Sequence, residues 1–292
     1  MHIETITDLR CSLGEGPLWN ALENEILWVD IIEGKIHSYS FTHNALQTYP
    51  LQEMVGSVTV ASDGSLIVAS KSGFGQLHRD SGHVTPITDP EHHVPNNRFN
   101  DGKCDPKGRF WAGTMSLSEE RKAGSLYVLD GLQVHKKIEN VTISNGIAWS
   151  LDHKTMYYID TPTLEVVSYD YDKATGTIGN KQVAIRIPES EGYPDGMTID
   201  NEGMLWIAHW GGWQLTRWNP VTGKKLVAIP LPAAKITSCT FGGENLTDLF
   251  VTSAKERLSE AELKEQPLAG ALFKITGTGF QGVPCFQFKI PL

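Results

Sequence analysis

The sequence predicts an all-β fold, a six-bladed β-propeller of four-stranded antiparallel blades around a central channel. Three observations carry this. An oxygen-bearing side chain opens the same kind of segment six times, at Glu15, Ser57, Asp101, Asn145, Asp195 and Thr237. The intervals are 42, 44, 44, 50 and 42 residues, and a period in the forties with about four strands per unit marks a propeller. No stretch sustains a helical period, and the best short helical candidate is residues 258–264.

Each segment reads as an apolar first strand, a turn, and a second strand rich in aromatics. In the first repeat, Glu15-Gly16-Pro17-Leu18-Trp19 precedes a turn at 23–25 and then Ile26-Leu27-Trp28-Val29-Asp30. The third, fourth and fifth repeats start at Asp101-Gly102, Asn145-Gly146 and Asp195-Gly196. A glycine there lets neighbouring inner strands approach closely. The repeats at Ser57 and Thr237 are weaker copies. Tight turns are expected at Asp63-Gly64 and Lys107-Gly108. Third strands are expected at 34–39, 74–79, 124–129, 164–169, 214–218 and 270–275. Fourth strands are expected at 46–51, 84–88, 134–138, 182–187 and 226–231. A terminal segment, either 2–7 or 286–290, would complete the last blade. Repetition from end to end predicts one domain over residues 1–292, with no linker.

Bulk properties exclude several classes. The formal net charge is −9 and the pI about 5.6, which disfavours nucleic acid and anionic membranes as partners. The longest apolar runs are of strand length, so no transmembrane span is expected. The first residues lack the regions of a signal peptide. Cys11, Cys104, Cys239 and Cys285 are widely spaced and form no C-x-x-C pair. Free thiols and a cytoplasmic location follow as the default expectation.

In a propeller, equivalent positions on the innermost strands converge on one axis. Three of the six register residues, Glu15, Asn145 and Asp195, are hard oxygen donors. Convergent carboxylates need a cation or they repel and protonate, so the channel is expected to contain a metal. Three protein donors leave coordination positions for water and substrate. Arg98 and Asn100 precede the third inner strand and should crown the channel mouth, where guanidinium and amide groups suit a polyhydroxylated or anionic ligand. The alternative for both is a solvated loop. His209 is either a base or water-holder at the channel, or a rim histidine packed on Trp210. His92 and His93 are adjacent and should point apart. Tyr157, Tyr158, Trp149 and Trp206 read as inter-blade core. No G-x-S-x-G elbow and no phosphate-binding glycine loop is present.

Several stretches resemble one family in order and spacing. They are Gly14-Glu15-Gly16-Pro17, Asn97-Arg98-Phe99-Asn100-Asp101-Gly102-Lys103, Ala112-Gly113-Thr114-Met115, Ser144-Asn145-Gly146, Pro194-Asp195-Gly196-Met197 and Thr237-Ser238-Cys239-Thr240-Phe241-Gly242-Gly243. The family is the senescence-marker-protein, gluconolactonase and luciferin-regenerating-enzyme family, and the likeness is closest to its regucalcin branch. The resemblance covers nearly the whole chain. It implies a six-bladed propeller that hydrolyses aldonolactones with one divalent cation, Ca²⁺, Zn²⁺, Mn²⁺ or Mg²⁺, with Fe²⁺ as a bacterial option. It implies Glu15, Asn145 and Asp195 as metal ligands, Asp195 also as general base, and Arg98, Asn100 and Glu120 as substrate-binding residues. Its partner is a small sugar lactone, with no obligatory protein partner. The segment Ala208-His209-Trp210-Gly211-Gly212 departs from the animal regucalcin pattern and looks more like the bacterial lactonases. Hydrolysis of organophosphates, a calcium-binding regulator and an interaction scaffold are the competing readings.

Overall fold

The computed structural model describes residues 1–290. The strands are β1 (His2–Thr5), β2 (Gly14–Asn20), β3 (Glu25–Asp30), β4 (Lys35–Ser40), β5 (Ala45–Pro50), β6 (Val55–Val60), β7 (Leu66–Ser70), β8 (Gly73–His78), β9 (His83–Thr88), β10 (Asn97–Cys104), β11 (Phe110–Ser116), β12 (Gly124–Asp130), β13 (Gln133–Val141), β14 (Ser144–Trp149), β15 (Thr155–Asp160), β16 (Glu165–Asp172), β17 (Thr177–Arg186), β18 (Tyr193–Ile199), β19 (Leu205–Trp210), β20 (Gln214–Asn219), β21 (Lys224–Pro230), β22 (Lys235–Gly242), β23 (Asp248–Ala254) and β24 (Phe273–Thr276). The one α-helix among the described residues, α1 (Glu260–Glu265), follows a capping box in which Ser259 and Glu262 satisfy each other's backbone amides.

The strands form antiparallel meanders. Four are separate four-stranded sheets, β2–β5, β6–β9, β10–β13 and β14–β17. The fifth sheet has eight strands, with β18–β21 and β22–β23–β24–β1 in register at the Trp210–Lys235 pair. The amino-terminal segment therefore supplies the last strand of the final meander, as β1 pairs β24 from His2 with Thr276 to Thr5 with Phe273. The other candidate, 286–290, packs elsewhere: Phe288 bridges Ala61 and bonds Val60 and Ser62 through its backbone. Most expected third and fourth strands fall within a few residues of their places. Two depart most: β17 starts at Thr177 and not at residue 182, and β24 starts at Phe273 and not at Gly270, because Gly270 sits at φ +85° and its carbonyl accepts a bond from the Cys11 amide.

The inner two strands of a meander are buried and the last is exposed. β3, β7 and β11 are buried throughout, while β5 and β21 are mostly exposed. The first strands β2, β6, β10, β14, β18 and β22 each neighbour the next, and β22 neighbours β2. Apolar cores lie between adjacent sheets. Trp111, Leu126 and Val128 of one sheet pack on Ile147, Trp149 and Tyr158 of the next. The arrangement is propeller-like.

Asp105 carries an inter-sheet tie that the repeat pattern alone did not reveal. Its Oδ2 accepts from Arg109 Nε (2.7 Å), Trp111 Nε1 (2.8 Å) and Tyr171 OH (2.8 Å). Asp200 makes the matching bonds within its own meander, to Trp206 Nε1 (2.9 Å) and Arg217 Nε (2.7 Å). In both, Asp precedes Trp by six residues, and a buried carboxylate needs such donors.

Candidate metal centre

All six register residues are buried, and each first strand is irregular at that point. The pairing slips between Glu15 and Leu18, Val55 and Ser57, Phe99 and Gly102, Ser144 and Ile147, Pro194 and Met197, and Ile236 and Ser238. A bulge re-aims side chains that would otherwise alternate across the sheet. Close contact between first strands completes the geometry. A Cβ on Gly146 would stand 2.7 Å from the Asp195 carbonyl oxygen, so no larger residue lets β14 lie this near β18.

Three of the register residues are carboxyls that feel one another. Burial pushes Glu15 well above the ordinary carboxylate range, and the Asp195 and Asp101 charges add to it, against the Gly16 amide and Arg98. Burial and the Asp101 charge likewise push Asp195 well up, while Asn145, the Gly196 amide and Glu15 favour its charged form. Burial and the neighbouring charges thus push both carboxyls toward their neutral forms. Burial raises Asp101 too, opposed by Lys103 and the Gly102 amide. Arg98 is lowered to about 10 by burial, although Glu256, Glu15, Glu119 and Asp195 all favour its charge.

Three register residues carry a buried oxygen without a hydrogen-bond partner: Ser57 Oγ, Asn145 Oδ1 and Asp195 Oδ1. The amide's orientation is fixed from behind: Asn145 Nδ2 donates to Thr161 Oγ1 (3.0 Å), which donates to the Pro194 carbonyl (2.9 Å). Glu15 Oε2 accepts from the Gly16 amide (3.0 Å). This donor set of two carboxylates and one outward amide oxygen fits a hard divalent cation. Among the described residues no three His, Cys, Asp or Glu side chains gather to bind a metal by themselves, so an ion here would rely on the Asn145 oxygen.

Arg98 and Asn100 stand beside this centre and are not on a solvated loop. Arg98 Nη1 donates to the Phe99 carbonyl (2.9 Å) and to Asn100 Oδ1 (2.7 Å), and Asn100 Nδ2 donates to the Ser144 carbonyl (2.8 Å). A cavity of about 400 Å³ adjoins Arg98 and is lined also by Glu53, Asp89, Glu91, His92 and Asn97. Glu120 is exposed. Its neighbour Glu119, and not Glu120, is among the charges acting on Arg98.

His209 is fully buried, with Nδ1 donating to the Glu191 carbonyl (3.0 Å) and Nε2 accepting from Thr216 Oγ1 (2.6 Å). Both nitrogens are used, so the ring supports its loop. His92 and His93 are exposed. Tyr157, Tyr158, Trp149 and Trp206 are core residues. Two features escaped sequence reading: Thr161 behind Asn145, and Lys103, whose Nζ donates to the Met197 carbonyl (2.7 Å) from β10 to β18. Neither belongs to the six-fold register that located the others.

Fold and site together define an all-β, propeller-like protein with a buried acidic centre at its innermost strands. The family model described as SMP-30/Gluconolactonase/LRE-like region matches residues 13–255. The chain is 41% identical to regucalcin of Gallus gallus, over 99% of this chain and 98% of that one. It is 40% identical to "Putative sugar lactone lactonase YvrE" of Bacillus subtilis, over 95% and 96%. A solved luciferin-regenerating enzyme superposes with a TM-score of 0.92 at 33% identity, covering 99% of each chain. A calcium-binding protein, regucalcin, from Agrobacterium tumefaciens gives 0.92 at 29% identity, covering 97% and 96%. The chain belongs to the SMP-30/gluconolactonase/LRE-like family.

Proposed function

We propose that the protein is a metal-dependent sugar lactonase that converts aldonolactones, such as gluconolactone, to the aldonic acid. The observation that carries this is the pair of unpartnered buried oxygens, Asn145 Oδ1 and Asp195 Oδ1, on strands next to one another, with Glu15 and Arg98 close by. Family membership and the Bacillus subtilis relative's name support the substrate class. In this reading the chain is one domain, and the eight-stranded sheet counts as two blades of a six-bladed propeller with the metal on its axis. Four free cysteines fit a reducing, cytoplasmic setting.

Glu15, Asn145 and Asp195 would hold a divalent cation, which would supply Lewis acidity toward the lactone carbonyl. Asp195 Oδ1 takes a proton from the attacking water as the new C–O bond forms at the carbonyl carbon. The ring C–O bond then breaks, and the departing ring oxygen recovers that proton. Arg98 and Asn100 hold the ring hydroxyls in place, and Glu120 joins them if its loop turns inward. Thr161 keeps the Asn145 oxygen aimed.

The test is acid release from glucono-, galactono-, xylono- and arabinonolactone after chelation, with Ca²⁺, Zn²⁺, Mn²⁺, Mg²⁺ or Fe²⁺ restored one at a time. Turnover should return with metal, and Asp195→Ala should lose both turnover and metal binding. Tight calcium binding without turnover on any lactone would leave the binding-protein reading, which the Agrobacterium structure's description favours.

A further inference from the structure

The two ends of the first strands are unlike. The proposed metal centre sits where these strands begin, and at the other end lie the turns that lead into the second strands. A cavity of about 230 Å³ occupies that far end. Its walls are apolar: Leu18 from β2, Ala148 and Trp149 from β14, Ile199 from β18, with Val283 and Phe286. The last two belong to residues 281–289, which cross this end of the molecule. On one side the Asn201 amide donates to the Gln281 carbonyl and the Gly282 amide to the Leu246 carbonyl. On the other the Phe288 and Lys289 amides donate to the Val60 and Gly108 carbonyls. A cavity of roughly 150 Å³ with apolar walls takes up benzene, so this one has room for a six-membered ring and a head group.

The lining carries one ionised group. Among the described residues no carboxylate lines the cavity. Burial and the Lys173 charge lower His153 from its ordinary value, against Asp152, so its ring is neutral near pH 7. Lys103 is left. Its ammonium has three donors, and one is committed, to the Met197 carbonyl (2.7 Å). Asp101, which feels the Lys103 charge, lies nearer the metal centre and does not line the cavity. A charged donor at the head of an apolar cavity calls for an anionic group, because a purely apolar guest would strip water from the remaining donors and give nothing back. Leu151, 45% exposed, and half-buried His153 stand at the outer side, which puts the entrance on the face opposite the metal centre.

We propose that this far-end cavity is a second binding site, which takes small aromatic monocarboxylates, the carboxylate on Lys103 Nζ and the ring between Trp149 and Phe286. The site does not depend on the lactonase reading. None of Glu15, Asn145, Asp195, Arg98 and Asn100 lines it, and a failure of turnover on lactones leaves it standing.

The experiment is calorimetric titration, with chelator present, of benzoate and of benzyl alcohol, a neutral molecule of the same shape. Benzoate should bind at a single site and more tightly than the alcohol. Lys103→Met should weaken benzoate by about ten-fold and leave benzyl alcohol within about two-fold, the scale of a lost bond to a charged donor. Cys285 lines the cavity from the carboxy-terminal segment, so Cys285→Phe fills it and should abolish binding of both molecules. Arg98→Ala separates this site from the metal centre, and benzoate should bind that variant as it binds the wild type. No benzoate binding at about 10 mM, equal weakening of both molecules in Lys103→Met, or loss of benzoate in Arg98→Ala overturns the proposal. Should Lys103→Met fail to fold, Cys285→Phe decides: benzoate bound there as in the wild type removes the site.

Discussion

Arg98 shows what a single residue can tell and what it cannot. Composition alone left it between a surface arginine and a ligand clamp, because a polar run such as Asn96-Asn97-Arg98 suits either. Burial beside Glu15 and Asp195, with one nitrogen fixed to Asn100 Oδ1, excludes the surface arginine and supports the proposed clamp. A charged donor of this kind contributes roughly 1.5–3 kcal/mol. Arg98→Ala should therefore raise KM for gluconolactone by about ten-fold or more, with a smaller change in kcat. Steady-state kinetics at saturating metal reads the split, and an equal loss in kcat at constant KM would move Arg98 from binding to the chemical step. Glu15, Asn145 and Asp195 were legible because they share a register. Thr161 was not, since its role depends on where a hydroxyl falls between Asn145 and the Pro194 carbonyl.

At the scale of the element, the repeat pattern located strands well because alternating apolar runs and turn residues are local signals. Gly108, expected in a tight turn, does stand at φ +89°. The edges of elements were less legible where a distant backbone intervenes, as at Gly270. The bulges at the register positions were not legible at all: each depends on how a first strand pairs with the second. The tie at Asp105 is also a property of packed elements. Removing its carboxylate takes the acceptor from Arg109 Nε, the Trp111 indole N–H and the Tyr171 hydroxyl together. Asp105→Ala should destabilise the fold by about 3–5 kcal/mol, the cost of breaking a buried ion pair from one side. Urea unfolding of the two proteins measures it, and a loss under about 1 kcal/mol would mean that water replaces the carboxylate.

At the scale of the whole molecule, burial sets a response to acid. His37 and His209 are each lowered to about 4, mainly by desolvation, against an ordinary value of about 6.5. Between those values the unfolded chain binds protons that the folded chain refuses, so stability is full above about 6.5 and is lost as pH falls to about 4. Each imidazole accounts for up to about 3 kcal/mol across that window. His209→Gln should flatten the fall in unfolding free energy between pH 6.5 and 4 by close to one proton's worth of slope, measured by urea titration at several pH values. Parallel curves for the two proteins would show that the His209 imidazole is not held neutral. By itself the sequence determined an all-β chain of repeated meanders, and that Glu15, Asn145 and Asp195 occupy equivalent places, because periodicity and side-chain chemistry are written residue by residue. Only the tertiary structure decided that those side chains turn inward at bulged strands, that β1 and not residues 286–290 completes the last meander, and that Glu119 pairs with Arg257. Those outcomes depend on how distant segments pack, and no local stretch of chain encodes that distance.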